Sequence, residues 1–220
     1  MHTGIFRKLL IGVAAVWCAT GAMASPLSPE EQRMVEWIDA HSEDAIALLE
    51  ETVNISSGTM NHDGVRKVGD VLRRELDALG LETEWIDLPP EMERAGHLFG
   101  RKVSGSGKKF VLIGHLDTVF EADDDFQAFA RNGDTATGPG VEDMKGGNVV
   151  IVYALKALQE IGALQDIPVV VAYTGEEEKM GRHLTVSRND LVEAGKWADY
   201  GLGFESAITY DNADWGTIAR

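Results

Sequence analysis

The chain reads as an α/β protein, a mostly parallel sheet flanked by helices, and three observations predict it. Two short runs, 110–114 and 168–173, are apolar at nearly every position, the pattern of strands buried on both faces. Between them, 144–160 repeats apolar residues at helical spacing, so strand, helix and strand form a βαβ unit with parallel pairing and a right-handed crossover. Three strand-like runs also end in "GHLD", "TGEEE" and "FES". Imidazole and carboxylate groups thus gather at the carboxyl ends of strands, where open α/β sheets place their sites.

The first residues differ in kind from the rest. Arg7 and Lys8 precede an apolar run over 9–19 and then Ala22-Met23-Ala24, so 1–24 reads as a secretory signal removed on export. That run is short for a membrane span, and no later stretch approaches the ~20 apolar residues a crossing helix needs. A periplasmic or secreted protein without a membrane span is expected. The single cysteine, Cys18, lies in the signal, so the mature chain has neither disulfide nor thiol nucleophile and would hold a metal through His and carboxylates. The formal net charge is −16, and loss of Arg7 and Lys8 takes it to −18. Such acidity repels phosphate, so no nucleic-acid partner is expected.

Along the mature chain, "SPLSPEEQRMVEWIDAHSEDAIALLEETVNIS" reads as helix, with Ser28 as N-cap, Pro29 in the first turn and Glu31 completing a capping box. A second helix is predicted over 63–79, ended by Gly80. Strands follow at 82–87 and 97–103, and "SGSGKK" reads as a hairpin-like turn. After the strand at 110–114 come a loop over 118–141, the helix and strand of the βαβ unit, a helix at 191–198 and a strand at 200–205. No internal repeat or low-complexity segment interrupts this order.

Each chemical motif has an ordinary structural reading when taken alone: a polar strand end, a glycine turn, a solvated acidic run. Their joint placement is what points to chemistry. His115 and Asp117 stand two apart on extended chain and so face one side, where a carboxylate can accept the imidazole N–H and aim the other nitrogen at a metal. "TGPGVEDMKGG" brings Asp143 to a helix entrance, and its spacing fits neither a Walker loop nor a dinucleotide fingerprint. Glu176, Glu177 and Glu178 repel one another unless a cation or shared protons relieve them. His115, Asp143, Glu178 and Glu205 therefore form a candidate ligand set that zinc accepts, with Glu177 free to act as a base.

"GHLDTV", "GPGVEDMKGG", "TGEEE" and "ADYGLGFE" together resemble the dinuclear zinc exopeptidases and deacylases: glutamate carboxypeptidase, acetylornithine deacetylase, succinyl-diaminopimelate desuccinylase and aminoacylase. The resemblance spans about 35–219, with 28 positions from His115 to Asp143 and 34 from Asp143 to Glu177. It implies a zinc-exopeptidase, phosphorylase/hydrolase-like fold. It also implies hydrolysis of a peptide or N-acyl amide bond next to a free carboxylate, with a small peptide or N-acyl amino acid as substrate. His115 would bind one Zn2+, Asp143 would bridge two, Glu205 would complete the first ion's ligands and Glu178 would bind the second. Glu177 would be the general base, Asp117 would orient His115, and the Asp143–Met144 peptide would be cis. Co2+ or Mn2+ could replace zinc.

The sequence departs from the family in two ways. Asp-Glu-Glu, common in the family, is here Glu176-Glu177-Glu178, which leaves a register shifted by one position open. Members are also about twice as long, with a lid and dimerisation domain and a further histidine ligand. None of His41, His62, His97 or His183 has the context of that ligand. Residues 25–220 are therefore expected to be the N-terminal portion of such a catalytic domain, with a homodimer possible only with the lid domain. The competing readings are a truncated, non-catalytic metal-binding exported protein and, more weakly, a nucleotide-binding domain using the glycine-rich loop.

Overall fold

A computed structural model describes residues 26–205; the segment read as a secretory signal lies outside them. The predicted first helix is two, α1 (Pro29–Ala40) and α2 (Ser42–Val53). The capping box forms as expected, with Ser28 and Glu31 each bonded to the other's backbone N–H. The break falls at His41, whose Nδ1 lies 2.7 Å from the Trp37 carbonyl and whose ring stacks on Trp37 at 4.0 Å. Ser42 Oγ donates to the Asp39 carbonyl as well, so side chains satisfy carbonyls at the end of α1. Helix α3 (His62–Ala78) starts at Asn61, which caps the Gly64 N–H, and Gly80 follows at φ +79°.

Strands β1 (Glu82–Ile86), β2 (His97–Lys102) and β3 (Phe110–His115) come next, then a small hairpin of β4 (Ala130–Asn132) and β5 (Thr135–Thr137) inside the predicted loop. A kinked turn, Val141–Gly146, leads into α4 (Gly147–Glu160) and then β6 (Val169–Thr174). Short α5 (Leu184–Ser187), α6 (Asn189–Trp197) and β7 (Tyr200–Gly203) follow.

The main sheet is mixed, which corrects the mostly parallel sheet read from sequence. Its order is β1-β2-β6-β3-β7; β1–β2 and β2–β6 are antiparallel, while β3–β6 and β3–β7 are parallel. With the β4–β5 hairpin, three of the five pairings among the described residues are antiparallel. The βαβ unit itself stands, as β3, α4 and β6. What failed was the inference from that unit to the whole sheet, because hydrophobic patterning does not encode strand direction. For the same reason "SGSGKK" closes no hairpin: β6 lies between β2 and β3, and a seven-residue connection easily spans two strand spacings, ~10 Å.

Both faces of β6 are covered, which explains its continuous apolar run. Val169, Val171 and Tyr173 join the larger core with α3 and α4; Val170 and Ala172 face the other way, toward Leu191, Ala194 and Trp197 of α6.

Candidate metal centre

The register of the sheet assembles the centre. His115 at the end of β3 is level with Thr174 at the end of β6, so "GHLD" and "TGEEE" leave the sheet side by side. Ile113 pairs with Gly203, which brings Glu205 to the same edge. The kink before α4 supplies Asp143, and its peptide bond to Met144 is cis, as the resemblance implies. Gly114 is required here: a Cβ would lie 2.2 Å from Asn148 Oδ1, and Asn148 must approach closely because its Nδ2 donates to the His115 carbonyl at 2.6 Å.

His115, Asp143 and Glu205 each offer a ligand atom, all within 4.8 Å of one another. His115 Nε2 lies 2.9 Å from Asp143 Oδ1 and 3.5 Å from Glu205 Oε1. The imidazole is buried, whereas both carboxylates are about half exposed, so the group opens outward. On its other side, Nδ1 is 2.9 Å from the backbone carbonyl of Asp117 and 3.5 Å from its carboxylate. Orientation of the ring thus falls first to the Asp117 main chain. An Nδ1–H donated to that carbonyl leaves the Nε2 lone pair directed at the two carboxylates, where it meets either a proton or a cation.

The Asp117 carboxylate has a larger task than the sequence suggested. It is fully buried and accepts from Thr59 Oγ1 at 2.7 Å, from the Glu177 N–H at 2.9 Å and from the Glu178 N–H at 3.0 Å. One side chain therefore ties β3 to the loop after β6. The three glutamates separate: Glu176 is fully buried, while Glu177 is exposed and Glu178 half-buried. Glu178 senses Asp143, His115 and Asp117, and Glu205 senses Glu177, so Glu177 and Glu178 lie on the side of the centre.

The electrostatics suit a cation. Burial opposes charge on His115, yet Asp117, Glu205 and Asp143 prevail and raise its pKa to about 9. Burial, then the negative charge of Asp143, pushes Glu178 up to about 7. Glu205 is raised by burial and by the neighbouring carboxylates despite His115. Burial also pushes Asp117 up, but His115, Thr59 and the Glu177 N–H outweigh it and hold the carboxyl below its usual range. One imidazole and two carboxylates that repel each other fit a divalent ion such as zinc. His115, Asp143 and Glu205 are the only such group among the described residues, and it accounts for one ion.

Four supporting residues carried no signal in the sequence. Thr59 lies 58 positions from the aspartate it serves, and Asn148 is one polar residue on an apolar helix. Lys145 is buried with Nζ 2.9 Å from the Ile55 carbonyl, and burial lowers its pKa to about 7. His97 sits on β2, where Nε2–H donates to the Ser187 carbonyl at 2.8 Å and Nδ1 accepts the Gly175 N–H at 3.2 Å. A polar strand start was its only mark.

His97 also makes a pH prediction. Burial lowers its pKa against the opposing pull of Ser187 and Glu176, with Arg188 adding to the lowering. A proton on Nδ1 would face the Gly175 N–H, donor against donor. The unfolded chain therefore binds the extra proton more readily, and this contribution to stability is full above the unfolded value of ~6.5 and lost as pH falls below it. Denaturant melts between pH 7.5 and 5 should show His97→Gln gaining stability relative to wild type as pH falls. Identical slopes would remove the assignment. The comparison is needed because Glu178 and His115, both raised in the fold, contribute in the opposite sense.

Fold and centre together define an α/β protein with a metal site at the carboxyl ends of its strands. The profile of the Peptidase family M20/M25/M40 matches residues 111–207, the stretch that carries His115, Asp117, Asp143, the glutamate triplet and Glu205. Carboxypeptidase G2 from Pseudomonas sp. (strain RS-16) is 36% identical over 172 residues, covering 76% of this chain and 39% of that protein. Succinyl-diaminopimelate desuccinylase from Acidiphilium cryptum (strain JF-5) is 34% identical over 118 residues, covering 52% of this chain and 29% of that protein. The chain is thus similar to the Peptidase family M20/M25/M40 over 111–207 and spans about two fifths or less of these curated relatives. The solved structure of human carnosine dipeptidase 1 shares the fold at TM-score 0.67, with 20% identity, over 80% of this chain and 41% of that one. Among the described residues no helix is long and apolar enough to cross a membrane.

Proposed function

We propose that the chain forms the N-terminal portion, 25–220, of a zinc-dependent hydrolase that cleaves a peptide or N-acyl amide bond next to a free carboxylate. The observation that carries this is the His115, Asp143 and Glu205 group beside a glutamate loop anchored by Asp117. Likeness to carboxypeptidase G2 favours a carboxypeptidase over a deacylase. The signal read at 1–24 favours export to the periplasm or beyond.

A bound zinc supplies Lewis acidity toward a carbonyl oxygen and a water nucleophile. His115, Asp143 and Glu205 would hold it, and Asp143 with Glu178 would be this chain's ligands for a second ion. Glu177 takes a proton from the attacking water; the water oxygen bonds to the carbonyl carbon, the carbon–nitrogen bond breaks, and Glu177 returns the proton to the departing amine. A recess of about 490 Å3 lined by Met60, Asn61, Glu121 and Lys179 lies against the same loop and offers room for a small peptide.

The test is hydrolysis of dipeptides and N-acyl glutamates by the protein carrying its full reading frame. Activity should vanish on chelation and return with zinc, cobalt or manganese. Turnover that survives exhaustive chelation would overturn the zinc reading. Stoichiometric zinc binding with no turnover would favour a non-catalytic metal-binding protein.

A further inference from the structure

We propose that the buried Glu176–Arg188 ion pair is the register lock of the glutamate loop: Arg188 selects which of three identical side chains turns inward, and so aims Glu177 and Glu178 at the metal centre. The use made of those two glutamates rests on the hydrolase reading; the lock itself does not. Glu176 and Arg188 are positioning residues, and neither belongs to the ligand group.

Three consecutive glutamates pose a problem that the sequence leaves open. A shift of one position along this turn would exchange the buried residue with a site residue without changing its chemistry. Something outside the loop must distinguish them. Glu176 is fully buried, and taking a carboxylate out of water is unfavourable without a charge partner and hydrogen bonds. Its Oε1 lies 2.7 Å from Arg188 Nη1, at an angle outside hydrogen-bond geometry, so that contact is an ion pair. Its Oε2 accepts the Gly181 N–H. No other cation pairs with a carboxylate of this triplet among the described residues.

Arg188 stands at the junction of α5 and α6, on elements that the ligand group does not use. The neighbouring rung repeats the connection. His97 links the Gly175 N–H to the Ser187 carbonyl, so residues 175 and 176 are tied to 187 and 188 in parallel. The next two residues give their N–H groups to Asp117. All four positions, 175–178, are thus fixed by groups outside the loop. Asp117 binds only main-chain donors there, which any register would present; Arg188 is the one side-chain cation paired with a glutamate of the triplet among the described residues.

The decisive experiment is amide hydrogen exchange on the full-length, metal-free protein, comparing wild type with Arg188→Met, Arg188→Lys and the double variant Glu176→Gln/Arg188→Met. Loss of the lock should speed exchange of the Glu177 and Glu178 amides about tenfold or more in Arg188→Met, while α3 and α4 stay protected. Arg188→Lys should restore most of that protection. The double variant has no unpaired buried charge, so it should fold even if the single one does not, and its loop should still exchange fast. Unchanged exchange at 177 and 178, or equal acceleration in α3, α4 and the loop, would overturn the proposal. The readout needs neither zinc nor substrate, so it stands whether or not the hydrolase reading survives.

Discussion

Glu177→Gln is expected to abolish hydrolysis while leaving zinc bound. The amide matches the carboxylate in size, and the Glu177 main chain stays fixed because its N–H donates to Asp117, which the substitution does not touch. What is lost is a group able to accept a proton from water and return it to the amine. General-base removal of this kind costs about 10²–10⁴-fold in rate. Glu177 lies outside the His115, Asp143 and Glu205 group, so metal content should be unchanged. The check pairs kcat with zinc per chain. Rates near wild type would remove Glu177 from the role, whereas loss of zinc together with activity would make it a ligand.

Asp117→Asn should weaken zinc binding and destabilise the fold together. Three donors converge on two carboxylate oxygens: Glu177 N–H on Oδ1, and Glu178 N–H with the Thr59 hydroxyl on Oδ2. An asparagine keeps one oxygen and turns an NH2 toward at least one of those donors. Each buried donor left without an acceptor costs about 1–3 kcal/mol. The negative charge behind His115 disappears as well, and loss of such an outer partner typically lowers metal affinity about 10–100-fold. Competition with a chromophoric chelator and a thermal melt would measure both effects. Wild-type affinity with an unchanged melt would mean that this carboxylate organises nothing.

These two substitutions also show where sequence reading stops. Glu177 and Asp117 both follow strands in the sequence, and in the structure the Glu177 N–H donates to the Asp117 carboxylate. The work of Asp117 was read as orienting His115, a local effect between residues i and i+2. Its carboxylate also serves Thr59 and the glutamate loop, 58 and 60 positions away, contacts that no local spacing encodes. The glutamate triplet shows the same limit, since three identical letters cannot state which one is buried.

What the sequence determined by itself is whatever short-range chemistry dictates. Ser28 and Glu31 cap a helix because the groups they satisfy are three residues away. Runs at 110–114 and 168–173 read as buried strands because so many consecutive apolar side chains need shelter, and "GHLD" and "TGEEE" sit at strand ends because they follow those runs. Tertiary structure decided the rest: that β2 enters antiparallel beside β6 and makes the sheet mixed, and that Arg188 reaches Glu176. Each of these is a choice between arrangements with the same local pattern, and packing between distant segments settles it.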